Sequence, residues 1–548
     1  MKRFRACLER ATDRQEADRW LFVTYDQLSD DAVSQWMASP GATGLILCET
    51  SWRPKQRAYH QQKIALILAN QRQFALEQAR HGVPVRYISS RDTYASVLRA
   101  AVAELGAISV MEPAERELRH QIQPLIESGD VLPIENPLWL SSRADFMASQ
   151  GRHDAWRMDR FYRFMRRKTN LLLTTDGRPV GGQWSHDADN RKRWRGDPSA
   201  PQRPRFDHDE IDEEVFALVR TRYAHHPGQL TPDALPTTRE HAETLWRFAL
   251  DECMTHFGPY EDAMSRDEAY LFHTNISQLL NIGRLGASRA VTEVADLPVP
   301  INSKEGFIRQ VLGWREFVRH VHRETDGFRE VKERFRGGRS ASPRASDVDP
   351  SYLGSAQALP AAFWGAESGL GCLDHVVDEV WRTAYSHHIN RLMVLANWAT
   401  LMDVSPRALS DWFWVAFVDA FDWVVEPNVI GMGTFGVGEL MTTKPYISGS
   451  AYINKMSDYC GDCQFDPKTN CPMTSMYWAF LNRHRARLQG NHRMGLTLAN
   501  AAKRSDGKKD SDARIAHTVM STLAAKGRLS PALLEERSHH DASTSGLV

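Results

Sequence analysis

The chain has 548 residues, 42% of them hydrophobic, enough to bury a large core in two or three domains. Its 68 lysines and arginines balance its 68 aspartates and glutamates, which excludes binding of nucleic acid by bulk charge and leaves that role to local patches. No run of about 18 apolar residues suggests a membrane span, and the start, Met1-Lys2-Arg3-Phe4-Arg5, is too charged for a signal peptide, so a soluble, cytoplasmic protein is expected.

In chain order, short apolar runs at 20–24, 44–47, 85–88, 108–111 and 131–134 alternate with helical patterns, the strongest over 60–80. Strands separated by helices predict a parallel, doubly wound α/β sheet over 18–140. No Gly-x-Gly-x-x-Gly follows the first strand, so a Rossmann dinucleotide site is not supported. A polar stretch within 141–209 reads as an interdomain connector. From 210 to 530 the periodicity is helical, with an Arg/Ser/Gly-rich interruption at 336–349, and 531–548 reads as a disordered tail.

Of the seven cysteines, three form Cys460-Gly461-Asp462-Cys463 and, after seven intervening residues, Cys471. Cys-x-x-Cys brings two thiolates to one metal or cluster, and a third nearby nearly closes a soft-ligand cage. Cys372, at the start of a long helical pattern, is the best fourth ligand. Spacing alone leaves a structural zinc site and an iron–sulfur cluster equally open. An odd, clustered set argues against a disulfide framework and for a reducing compartment.

In the helical pattern after Cys372, Val377, Trp381, Ala384, His388, Leu392 and Leu395 share one stripe. This places His388 on the buried face and His387 about 100° round from it. A lone histidine there would be an ordinary core residue, but two adjacent imidazoles suit proton donation near neutral pH. The aromatic residues Trp364, Trp398, Trp412, Trp414, Trp423, Tyr452 and Trp478 are by default core fillers. Arg160, Arg163, Arg166, Arg167 and Lys168 form one basic run, and Arg334, Arg336, Arg339 and Arg344 another; each is a solvated face unless it meets a phosphate backbone.

The two-part layout resembles the photolyase/cryptochrome flavoproteins, and local motifs carry the resemblance. Asn275-Ile276-Ser277-Gln278-Leu279-Leu280-Asn281-Ile282-Gly283 resembles the family's flavin diphosphate segment, and Gln310-Val311-Leu312-Gly313-Trp314-Arg315-Glu316-Phe317 its flavin-and-lesion segment. Tyr385-Ser386-His387-His388-Ile389-Asn390-Arg391, Tyr260-Glu261-Asp262-Ala263-Met264 and the late Cys-x-x-Cys resemble the prokaryotic iron–sulfur branch. The resemblance implies FAD held by Asn275, Ser277, Gln278, Leu279, Gln310, Trp314, Asp419 and Asn428. It implies a four-iron, four-sulfur (4Fe-4S) cluster on Cys372, Cys460, Cys463 and Cys471, and a 6,7-dimethyl-8-ribityllumazine antenna in the sheet domain. Catalysis is expected from His387, His388, Asp262 and Glu316, with Mg²⁺ at Asp262, and electron hopping through Trp412, Trp364 and Tyr452.

Two departures stand out: Phe413 occupies a position where relatives often carry tyrosine, and Val425 one where they place a polar side chain near flavin N5, a role that Glu426 could take if the loop shifts by one. The implied function is light-driven repair of (6-4) pyrimidine–pyrimidone lesions by a monomer acting on UV-damaged DNA. The alternatives are a cryptochrome-type photoreceptor without repair, and a non-photochemical nucleic-acid enzyme with a four-cysteine site.

Overall fold

The computed structural model describes residues 1–12, 17–38, 42–337 and 349–536. Of the expected tail 531–548, residues 531–536 are instead helical, with Leu534 buried, while Arg339, Arg344 and 537–548 lie outside the described residues. Five parallel strands, β1 (Arg19–Val23), β2 (Thr43–Thr50), β3 (Val85–Ser90), β4 (Ile108–Met111) and β5 (Val131–Ile134), form one sheet in the order β3-β2-β1-β4-β5. Leu21 of β1 pairs with Leu45 of β2 on one side and Ser109 of β4 on the other. β1 and β2 are buried almost throughout, as near-continuous apolar runs require when helices cover both faces. The doubly wound reading therefore holds, with strand positions close to those expected.

The limits of the α/β unit are wider than 18–140. The charged N-terminus forms a helix, Lys2–Ala11, whose Phe4 and Leu8 are buried with Leu21, Val23 and Phe74, while the backbone amide of Arg3 donates to Glu214 at 3.2 Å. The helix Glu210–Arg222 also packs here: Gln73 of the helix Gln61–Arg80 donates to Asp209 at 2.9 Å and to Asp212 at 3.1 Å. The stretch 141–209 is more than a connector, since it carries the helices Arg143–Gln150 and Met158–Thr169, with Phe146, Phe161, Tyr162 and Met165 buried.

The helical part runs from Arg239–Phe248 to Asp506–Ala524. One buried cluster spans both parts, with Phe22, Tyr25 and Tyr94 of the sheet side and Phe421 and Trp423 of the helical side. Paired charges join the parts at the rim: Arg284 grips Glu77 through two 2.7 Å bonds, and Arg116 grips Asp326 at 2.7 and 2.8 Å. Among the described residues, no helix is long and apolar enough to cross a membrane.

Candidate functional site

A cavity of about 950 Å³ opens in the helical part. Its volume is at the upper end for small-molecule sites. Asn275, Ser277, Gln310, Trp314, Asp419, Asn428, Asp262, His388 and Tyr452 line it, so the structure gathers most of the expected site from six separate chain segments. Gln278 and Leu279 are buried and lie off the wall.

The two histidines exchange the places expected of them. The helix Gly371–Thr383 ends at Ala384, which takes a left-handed φ of 55° while its carbonyl accepts from the Val418 amide at 2.9 Å. The chain then re-enters a helix at His388, so a stripe drawn straight through the break assigns the wrong face. His387 is 2% exposed and stacks on His273 with ring centres 4.3 Å apart, whereas the His388 side chain is 45% accessible, and it lines the cavity.

Two carboxylates flank His388. Its Nε2 stands 3.5 Å from Asp262, whose other oxygen accepts from the Tyr452 hydroxyl at 3.2 Å. Glu261, the second, is buried and fixed by Gln310 at 2.8 Å and Asn190 at 2.7 Å. Burial alone would lower the pKa of His388, but the hydrogen bond it donates to Asp262 and the charges of Glu261 and Asp262 outweigh it and raise the imidazole above its ordinary value. Burial drives His387 and His273 well below theirs. The site thus favours the charged imidazole at His388 and the neutral form at His387 and His273.

On another part of the wall, Asp419 is gripped by Arg391 through two 3.0 Å bonds and accepts from Ser277 at 2.6 Å. Burial would raise its pKa, and the Arg391 guanidinium reverses this and lowers it. Asp419 is therefore an ionised anchor rather than a solvated helix-end carboxylate. Val425 lines the cavity as the spacing predicts. Glu426 cannot take over at N5, because its carboxylate turns away into His322 at 3.1 Å, Arg329 and Arg407. Among the described residues, Trp423 Nε1 and Arg315 Nε are buried donors on residues of this cavity with no acceptor.

Glu316 is a correction. It is fully buried off the cavity, where its carboxylate accepts from the amides of Leu140 and Ser141 and from the Ser141 hydroxyl at 3.1, 3.0 and 2.6 Å. Tyr452 likewise belongs with Asp262, since no ring contact joins it to Trp412 or Trp364 among the described residues. The aromatic line instead runs from Phe413 on the wall to Trp412 at 5.2 Å, Trp381 at 6.0 Å and Trp364 at 5.7 Å, which is 53% exposed. Trp381, which the sequence placed only on a core stripe, is the missed member. One carbonyl, that of Phe363, accepts both indole N–H groups, from Trp412 at 2.8 Å and from Trp381 at 3.0 Å.

The four cysteines expected to share a cluster lie near one another. Cys372 begins the helix Gly371–Thr383, Cys471 caps the helix Pro472–Arg483, and all four are partly buried. A Cβ on Gly371 would stand 3.2 Å from Cys463 Sγ. Burial raises the Cys372 thiol, and Cys471, Cys463 and Cys460 lie near enough to raise it further. Among the described residues, no group of three or more His, Cys, Asp or Glu is placed to hold a metal ion.

Of the basic run, Arg166 is no surface residue: it is buried and donates to the carbonyls of Leu171, Leu172 and Trp184. Arg160, Arg163, Arg167 and Lys168 remain exposed. Arg191, Lys444 and Arg493 also stand on the cavity wall; none was expected as a site residue, although Arg191 opens the basic run Arg191-Lys192-Arg193-Trp194-Arg195, while Lys444 and Arg493 lie in no charge run.

The comparisons with known proteins agree with this geometry. Residues 21–235 match the family model described as deoxyribodipyrimidine photo-lyase-related protein. A (6-4) photolyase from Agrobacterium fabrum is 34% identical over 507 residues, covering 89% of this chain and 96% of that protein. Among solved structures, a bacterial class III photolyase from Agrobacterium tumefaciens superposes with a TM-score of 0.55 at 14% identity, over 93% of this chain and 99% of that one. A Synechocystis cryptochrome superposes with a TM-score of 0.54 at 13% identity, over 90% and 93%. On that full-length identity and the shared two-part fold, the chain belongs to the bacterial photolyase/cryptochrome family.

Proposed function

We propose that the protein repairs (6-4) photoproducts in UV-damaged DNA, using light and a reduced FAD held in the cavity. The observation that carries this reading is His388 set beside Asp262, with Glu261 next to it, on the wall of a cavity whose other wall carries the Arg391–Asp419 pair and unsatisfied donors. The fit to FAD rests on those donors, because a buried N–H without an acceptor is costly and a cofactor rich in phosphate and carbonyl oxygens would relieve it. Ser277, Asp419, Arg391, Asn428 and Trp423 would hold it. Excited reduced FAD supplies an electron. His388 gives a proton to the lesion, Asp262 and Glu261 hold that proton in readiness, and Tyr452 and Arg191 fix Asp262. Arg191, Lys444 and Arg493 meet the phosphates of a flipped nucleotide, with Arg160, Arg163 and Arg167 available along the duplex.

The four sulfurs fit a 4Fe-4S cluster in number, softness and enclosure. Mg²⁺ fits poorly, because Asp262 is already engaged by Tyr452, Arg191 and His388. For an antenna, the pocket of about 60 Å³ lined by Tyr25, Arg53, Tyr59, Lys63, Trp414 and Phe421 is the candidate. That volume is far below the roughly 300 Å³ where small-molecule sites begin, so a ribityllumazine does not fit it as it stands.

The test is light-dependent repair of defined (6-4) and cyclobutane substrates by the photoreduced protein. Repair of the (6-4) substrate alone is expected. Repair of neither, with normal flavin photoreduction, would favour the photoreceptor reading instead.

A further inference from the structure

His273 belongs to none of the motifs that mark this site in the sequence; it lies between the Tyr260-Glu261-Asp262 turn and the Asn275–Ser277 segment. It is 7% exposed and shares the cavity wall with His388, whereas His387 lies behind that wall. Its ring stacks on His387 at 4.3 Å with the planes 10° apart, and meets His388 edge-on at 5.7 Å and 73°. Its Nε2 is buried and meets no partner among the described residues. A neutral imidazole has one donor and one acceptor nitrogen, and leaving such an atom buried and unpaired is costly. Both ring nitrogens of His387 are buried and unpaired as well, but of the two rings only that of His273 lines the cavity, where a ligand can reach it.

We propose that His273 is a further substrate-contacting residue, which hydrogen-bonds the base edge of the lesion that His388 protonates, while His387 stacks behind it and fixes its ring. The proposal rests on the lesion-repair reading of the cavity. The division of labour follows from charge. Two imidazolium rings at this separation would repel, so only one of the three carries the proton. After burial, the charges acting on His273 are those of His388 and Arg391, both cationic, so its ring stays neutral. Asp262 and Glu261 act on His388 and keep the proton there. A neutral ring beside a charged one can orient the base without competing for its proton.

The experiment uses the full-length, FAD-loaded, photoreduced protein and a duplex oligonucleotide carrying one (6-4) photoproduct, with single-turnover repair followed against DNA concentration from about pH 6 to pH 9. His273→Phe keeps the ring and its stack but removes both nitrogens, and His273→Gln restores a donor and an acceptor. The Phe variant is expected to retain flavin, bind undamaged DNA as the parent does, and lose about tenfold in lesion affinity or repair yield, the worth of one lost hydrogen bond. The Gln variant should recover part of that loss, and the pH inflection set by His388 should stay in place in both. Parent-like repair by the Phe variant overturns the proposal. Loss of flavin overturns it too, by putting the ring on the cofactor, as does disappearance of the inflection, by making His273 the proton donor. A parent that repairs no lesion marks the failure of the underlying reading, and the proposal falls with it.

Discussion

His388 owes its proton to two carboxylates, and this sets the pH dependence of the chemistry. Its pKa is raised above the ordinary histidine value of about 6.5, so the charged form persists below the raised value and is lost as pH climbs through it. Repair by pre-reduced protein should therefore fall at alkaline pH. Asp262→Asn should move the fall to lower pH and slow repair about tenfold or more, within the usual range for general acids. An Asn variant with an unmoved inflection in its rate–pH profile would remove Asp262 from the role. The adjacent histidines were legible in the sequence as chemistry-bearing residues, but not which of them faces the cavity. That choice rests on Ala384, whose left-handed φ of 55° breaks the helix where its carbonyl meets the Val418 amide, a contact between distant segments that no local periodicity encodes.

At the scale of elements, the turn 361–364, the helix Gly371–Thr383 and the helix Pro406–Ala416 assemble an aromatic line to the surface, from Trp412 through Trp381 to exposed Trp364. The sequence showed the tryptophans but not their order, because stacking arises between elements while periodicity reports only on one. Trp381→Phe should slow flavin photoreduction by an order of magnitude or more and leave repair intact when the flavin is reduced chemically; flash absorption on both variants, Trp381→Phe and Trp412→Phe, checks it. Equal photoreduction rates in parent and Trp381→Phe would take Trp381 out of the line. The cysteine motif was legible for the opposite reason: Cys460 and Cys463 are local in sequence, and only Cys372 needed the fold to bring it in. Cys460→Ala should give protein without iron or acid-labile sulfide and of sharply lower solubility, since binding free energy at such a site is also folding free energy. One tightly bound zinc per chain with no sulfide would replace the cluster with a structural zinc.

Across the whole molecule, the sheet domain and the helical part share one core, and one charged group that motif reading would call catalytic is a fastener between them. Glu316 shows the difference. It sits inside a motif that resembles a flavin-and-lesion segment, yet its carboxylate closes on the Leu140–Ser141 backbone, on the Ser141 hydroxyl and on Arg315 at 3.1 Å, all where the sheet domain hands over to the helices. Sequence position could not separate these roles, because the helix that carries Gln310 and Trp314 to the cavity carries Glu316 round to its other face. Removing one partner of a buried charged network costs roughly 3–5 kcal/mol, as the remaining donors are left unpaired. Glu316→Ala should therefore cost several kcal/mol of stability, read as a lower denaturant midpoint at unchanged slope, while repair per bound flavin stays within about twofold of the parent below the unfolding transition. Glu316→Gln, which keeps an acceptor for the Ser141 amide, should recover part of the loss. A variant that unfolds like the parent but no longer repairs lesions would return Glu316 to the catalytic machinery and show that the carboxylate reaches the cavity when substrate is bound.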